Sequence, residues 1–170
     1  AYALDWLAMA SADLASISER RINRLLNPSL SGLPAFLVRE GGLRSGYLIT
    51  QTAAASLVNE TRSLATPSST DSIPTSADQE DHVSMGAWGG WKARQAVVNA
   101  RRVVAMELLC ACEAVEFHAP TPPAPALERV LAWVRERVPS LQEDRPLAGD
   151  VERVAEALSG PALLREAGLA

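Results

Sequence analysis

An all-α fold, built as a bundle of long helices, is predicted by three features of this sequence. Alanine and leucine dominate its 170 residues, only 5% are aromatic, and long stretches lack the alternating β-branched pattern of strands. Hydrophobic residues make up 48% of the chain, enough for a sizeable core at a length typical of one domain.

The first helix is expected over residues 4–26, with Leu4, Leu7, Leu14, Ile17, Ile22 and Leu25 as its apolar contacts and Asn27-Pro28 as its stop. It opens in helical register without a cap or a leading turn, which predicts that the natural chain continues upstream. Residues 28–45 read as a long irregular loop, broken by Pro28, Gly32, Pro34, Gly41 and Gly42 and closed by Ser45-Gly46. Leu30, Leu33, Phe36, Leu37 and Val38 make that loop apolar, so burial against another chain is expected.

A second helix over residues 47–65 is apolar on nearly every face, which predicts full burial, and Pro67 ends it. Residues 67–86 are rich in Ser, Thr, Asp and Pro and read as a polar loop. A third helix over residues 88–117 would span about 45 Å at 1.5 Å per residue. It is long for this chain and, with Val97, Val98, Val104, Leu108, Leu109 and Val115, too apolar to stand in water, so it implies a large bundle or an oligomer.

The run APTPPAP at 119–125 is a stiff connector. Beyond it, Leu127, Val130, Leu131, Val134 and Val138 recur at helical spacing opposite a charged face, the pattern of a surface helix. Asp150 is placed to cap a short helix with Val151, Val154 and Leu158 inward, and Ser159-Gly160-Pro161 closes it and starts another. No internal repeat is present.

Several function classes are excluded by composition. The formal net charge is -4 and arginines are spread along the chain, so no basic face suits nucleic acid. Asp5, Asp13, Asn59, Glu60, Arg101 and Glu107 interrupt the apolar segments, so no membrane span is expected, and the N-terminus has no basic region of a secretory signal. Cys110 and Cys112, two apart on a helix, point to different faces and read as reduced core fillers of a cytoplasmic protein, with no metal.

No Ser-Gly lies in a nucleophile elbow, His82 and His118 are far apart, and no phosphate loop occurs. Trp88 and Trp91 are assigned to packing at a helix start, with stacking on a ligand as the alternative.

Acidic, amide and imidazole groups crowd together in one place: Asp78, Gln79, Glu80, Asp81 and His82. Adjacent acids and one histidine between two apolar helices could bind a cationic substrate or shift one another's pKa. The same residues also suit a solvated loop that makes local turns and caps the next helix.

Five motifs, in this order, carry a family resemblance: SISERR at 16–21, SGLPAFL at 31–37, Ser45-Gly46 before an apolar helix, DSIPTSADQEDHVSMG at 71–86, and ELLCAC from Glu107. Together they resemble the C-terminal portion of histidine ammonia-lyase, of the aromatic amino acid lyase family. QEDHVSM at 79–85 is the most specific of them. The resemblance divides the chain into core helices and substrate loop at 1–118 and a tail at 119–170 that matches only in being helical.

The resemblance implies a long-helix bundle within a larger helical homotetramer that converts histidine to urocanate and ammonia without a metal. It implies a methylidene-imidazolone (MIO) electrophile, made from an Ala-Ser-Gly triplet, that captures electrons as ammonia is lost. This chain contains no such triplet. The implied partners are therefore an N-terminal lyase portion, further copies in the tetramer and a small amino-acid substrate, and the chain alone is expected to be inactive.

By the same resemblance Glu80 is the active-site glutamate, suited to imidazole or ammonium, while Gln79, Asp81 and His82 shape the loop. Asp78, Trp88, Trp91 and Arg44 depart from the family's usual Asn, His, Arg and Asn. Those departures leave open a lyase or aminomutase of the same family acting on tyrosine or phenylalanine. A non-catalytic oligomerisation paralogue is the remaining alternative.

Overall fold

The chain's computed structural model describes residues 1–168. Among them it has seven α-helices: α1 (Tyr2–Leu26), α2 (Pro28–Ser31), α3 (Leu48–Leu64), α4 (Gly86–Glu116), α5 (Pro125–Arg135), α6 (Ala148–Ala157) and α7 (Ala162–Glu166), with a 3-10 turn at Ala35–Leu37. Among the described residues only isolated β-bridges form, Gly41 with Arg44 and Thr75 with Glu80, and no strand. The all-α expectation holds.

Three long helices make the body. Ser18 of α1 bonds Glu107 of α4, and Asp5 of α1 lies beside Gly89 of α4, so these two helices run in the same direction. Gln51 of α3 bonds Glu19, while Ser68, just after α3, bonds Asp5, so α3 runs antiparallel to both.

The face that α1 buries matches the predicted one only in part: Ile22 is buried and Leu4 and Leu25 pack against the core, but the rest of the predicted stripe does not. Ala8, Ala12, Ala15, Ile22 and Leu26 are inside, against a stripe of α4 that includes Ala93, Ala96, Ala100 and Val103, whereas Leu7, Leu14 and Ile17 are 46%, 50% and 50% exposed. Alanines let two helix backbones approach closely, and that approach leaves the bulkier adjacent stripe outside. On α3 likewise only Thr50, Ala54, Val58 and Thr61 are buried, and Ile49 is 65% exposed. Full burial of this helix does not occur within the chain itself.

Residues 28–45 are more ordered than predicted. The Asn27 side chain accepts from the Ser29 N–H at 3.0 Å, Pro28 occupies the first helical position, and Gly32 closes α2 at φ 72°. These are the usual start and stop residues of a helix, here only one turn apart.

The tail joins the same core. Trp133, Val134 and Val138 around α5, and Val151, Val154 and Ala155 of α6, pack in one cluster with Ile22, Tyr47, Val103 and Leu109. Leu127, expected inside, is exposed. Helix α6 begins at Ala148, so Asp150 lies in its first turn instead of capping it. The buried Asp150 carboxylate there pairs with Arg145 at 3.1 Å and Arg153 at 3.3 Å.

Candidate active-site loop

The polar segment between α3 and α4 is a surface loop with a fixed root and a closed tip. At the root, Asp5 accepts from the Ser68 N–H at 3.0 Å, the Ser69 N–H at 2.9 Å and the Ser69 hydroxyl at 2.5 Å. The Ser69 hydroxyl, followed by the Ser68 amide, holds the Asp5 carboxyl down at about 2. Lys92 of α4, itself buried, donates to the Thr66 carbonyl on the same root. Midway, the Ser72 hydroxyl accepts from the Val83 N–H at 2.9 Å.

The tip is a tight turn. Thr75 and Glu80 exchange backbone hydrogen bonds, Thr75 N to Glu80 O at 3.0 Å and Glu80 N to Thr75 O at 3.3 Å. Between them Ser76, Ala77 and Asp78 take φ of 55°, 54° and 64°. Left-handed backbone costs a residue with a Cβ about 1–2 kcal/mol, so three in succession persist only where neighbouring bonds enforce them. The Thr75 hydroxyl also donates to Glu80 Oε2 at 2.7 Å. Glu80 Oε1 takes no hydrogen bond among the described residues.

The residues of the acidic cluster singled out in the sequence lie on this tip: Gln79, Glu80, Asp81 and His82 are exposed, as is Asp78. The turn brings Glu80 to Thr75, and among the described residues the side chains of Gln79, Asp81 and His82 bond no other group. The tip is exposed and lines none of the concavities described below, so within this chain it presents an oriented carboxylate without enclosing a ligand. Such a carboxylate can accept from a cationic or N–H-bearing substrate delivered from another surface.

Trp88 and Trp91 stack on each other, ring centroids 4.8 Å apart and planes 6° apart, and stay 56% and 49% exposed. They pack on one another at the start of α4 and not into the body.

Concavities lie elsewhere, away from this tip. A largely apolar groove of about 860 Å³ runs between α3, α4 and α6, with Ile49, Ala53, Leu57 and Met106 in its wall. A smaller one of about 450 Å³ is bordered by Glu113, Glu116, Arg39 and Gln142. Among the described residues no three His, Cys, Asp or Glu side chains converge as a metal site requires, and no helix is long and apolar enough to cross a membrane. Cys110 and Cys112 are free and buried, and burial pushes the Cys112 thiol up to about 11.

Sequence reasoning did not identify Asp5, Lys92 or Thr75. An acid in the first turn of a helix has an ordinary role facing the helix dipole, which conceals the one that binds a loop. The motifs themselves interlock. Ser18 and Arg21 of SISERR both donate to Glu107 of the ELLCAC segment, at 2.6 Å and 2.8 Å, and the Tyr47 N–H that follows Ser45-Gly46 donates to the Phe36 carbonyl of SGLPAFL at 3.0 Å.

Known proteins share both sequence and backbone with this chain. The family profile described as aromatic amino acid lyase matches residues 1–136. Histidine ammonia-lyase of Symbiobacterium thermophilum is 60% identical over 156 residues, which cover 92% of this chain and 31% of that protein. The crystal structure of histidine ammonia-lyase from Trypanosoma cruzi superimposes with a TM-score of 0.95 at 45% identity, covering 98% of this chain and 33% of that one. Tyrosine aminomutase from Streptomyces globisporus follows at a TM-score of 0.93 and 40% identity, again over 98% of this chain and 32% of that one. The chain thus spans about a third of the length of such relatives. With a family profile matched over most of its length and the same helical scaffold beneath, the chain belongs to the aromatic amino acid lyase family.

Proposed function

We propose that this chain is the C-terminal part of a histidine ammonia-lyase, acting in histidine catabolism, and that Glu80 is the carboxylate it contributes to a composite active site. The observation that carries this reading is the 60% identity to a histidine ammonia-lyase across 92% of the chain. The exposed Glu80, held on one oxygen by Thr75 and open on the other, supports its role.

In this reading Glu80 binds and orients the substrate by accepting from its imidazole or ammonium group, and Gln79, Asp81 and His82 shape the turn around it. The loop offers an acceptor carboxylate, and the sequence has no Ala-Ser-Gly, so these residues fit a place facing an MIO group and not one forming it. That group, when present in the assembly, supplies an electrophile for the loss of ammonia. The exposed Trp6, Leu7, Leu14, Ile17 and Ile49 support burial of α1 and α3 against other surfaces; in this reading those surfaces belong to a cytoplasmic homotetramer that includes the N-terminal lyase portion.

The test is urocanate absorbance after histidine is added to the chain alone and to the chain assembled with an N-terminal lyase portion carrying Ala-Ser-Gly. Activity is expected only in the assembly, and Glu80→Gln should lower kcat/KM by about 10²-fold, the scale of one positioned polar group. Turnover by the chain alone, or an unimpaired Glu80→Gln assembly, overturns the reading. A complex that forms but stays silent points instead to a non-catalytic scaffold.

A second reading, a lyase or aminomutase of the same family acting on tyrosine or phenylalanine, is favoured by one feature, the Trp88–Trp91 stack beside the loop. Preferred turnover of tyrosine or phenylalanine over histidine would establish it.

A further inference from the structure

Glu80 stands on a loop whose exposed tip makes no polar contact with the helical body among the described residues, so its position depends on how the loop leaves that body. The departure is fixed at the root, chiefly by Asp5. Asp5 is only 4% exposed, yet its carboxylate takes three hydrogen bonds, all from Ser68 and Ser69, which lie 63 and 64 residues away in sequence. A surface acid facing a helix dipole needs none of these bonds.

Burying a carboxylate is unfavourable unless donors and an opposite charge compensate it. The donors of Ser69 and Ser68 supply most of that compensation, and α4 adds a cation. Lys92 stands close enough to favour the Asp5 charge and donates to Thr66, one residue before Pro67. Gly89 of α4 lies directly beside the root: a Cβ there would sit in ordinary contact, 3.6 Å from Asp5 Oδ1 and 3.8 Å from Ser68 Cβ.

From this root a series of hydrogen bonds continues to the tip. Asp71 N donates to Ser68 O at 3.2 Å, Val83 N to Ser72 Oγ at 2.9 Å, and Thr75 and Glu80 pair through backbone and side chain.

We propose that Asp5 is a positioning residue for Glu80: its carboxylate, clamped on Ser68 and Ser69, sets the direction of the loop and thereby the place of the Glu80 carboxylate against substrate. The proposal rests on the reading of Glu80 as substrate-facing. Asparagine in place of Asp5 keeps the shape but turns one acceptor oxygen into an amide donor that opposes the donors of Ser68 and Ser69, so the root loosens without a cavity.

The experiment is a double-mutant cycle in the complete assembly, with Asp5→Asn and Glu80→Gln singly and together, reading kcat and KM for histidine. Asp5→Asn is expected to raise KM about tenfold with kcat within about threefold, and its effect should shrink to under about twofold once Glu80 is already Gln. An equal Asp5→Asn effect in both backgrounds overturns the proposal, because Asp5 would then act without Glu80. A Glu80→Gln assembly as active as the parent overturns the reading of Glu80 itself, which is a separate outcome.

Amide hydrogen exchange of the same assembly gives a second measurement that requires no turnover. Amides of residues 70–83 should exchange about tenfold faster in Asp5→Asn, with those of α3 and α4 unchanged. Unchanged loop exchange overturns the proposal. Ser69→Ala, which removes one hydroxyl donor and keeps the carboxylate, should move the same amides less; if Asp5→Asn does not fold, a Ser69→Ala loop as protected as the parent overturns the proposal.

Discussion

A Cβ added at Gly46 would lie 2.5 Å from the Phe36 carbonyl oxygen, so these two residues meet at a distance only glycine permits. Gly46 also sits at φ 53°, and the same Phe36 carbonyl accepts the Tyr47 N–H. Asp144 of the tail accepts from the Ser45 and Gly46 amides at 2.7 Å and 2.9 Å, which locks the turn from its other side. Gly46→Ala therefore combines left-handed strain with a backbone clash, and should destabilise by about 3 kcal/mol, read as a lower urea midpoint with unchanged slope.

The second prediction concerns the contact between α4 and α5. Arg135 reaches Glu113 at 3.0 Å and Glu116 at 2.5 Å, and its side chain is 16% exposed against 8% for Glu113. Glu113 also accepts from the Leu141 N–H at 3.2 Å, so this carboxylate ties the tail to the bundle. Arg135→Met leaves it without its cation and should cost about 3 kcal/mol in urea unfolding. Arg135→Lys should recover only part, because an ammonium cannot bridge two carboxylates as a planar guanidinium does.

What could be read ahead of the structure follows from the range of each interaction. The helices now labelled α3 and α4 were legible because apolar runs and Pro67 are local signals. The inner face of α1 was legible only at Leu4, Ile22 and Leu25, because hydropathy ranks Leu7 and Leu14 above Ala8 and Ala15 while close packing selects the alanines. Helix α2 carried its signals in Asn27, Pro28 and Gly32, but a single turn leaves no periodicity to detect. The turn around Glu80 was legible as polar, whereas Asp5 was hidden because its partners come from the far end of another helix.

The acid limb of stability supplies the third prediction. The Asp5 carboxyl is held at about 2 against an ordinary 3.8, by the Ser69 hydroxyl and then the Ser68 amide. A depressed carboxyl contributes stability that is fully present above the ordinary value and is lost as pH falls through the folded one. Thermal midpoints should therefore drop between about pH 4 and pH 2. Asp5→Asn should be less stable at neutral pH and flatter across that window.

At the alkaline end the sign reverses. Burial pushes the Cys112 thiol from 9.0 to about 11, and raises Cys110 and Tyr47 as well. Groups whose pKa is raised contribute stability below the ordinary value and lose it as pH climbs toward the folded one. Thermal midpoints should fall from about pH 9 upward, less steeply in Cys112→Ala. A thiol reagent at pH 8 should label neither cysteine in the native chain and both after unfolding.

The last prediction separates the carboxylate of Glu80 from the hydroxyl that holds it. Thr75→Val keeps the β-branched shape but removes the donor 2.7 Å from Glu80 Oε2, while the backbone bridge between the two residues remains. In the complete assembly the freed carboxylate samples more rotamers, so KM for histidine should rise about threefold to tenfold, the value of one charge-assisted hydrogen bond on an exposed turn. Thr75→Ser restores the donor and should restore KM. If Thr75→Val left KM unchanged while Glu80→Gln raised it, the backbone of the turn alone would be what aims the carboxylate, and Ser76, Ala77 and Asp78 in their left-handed conformations would be the residues to alter next.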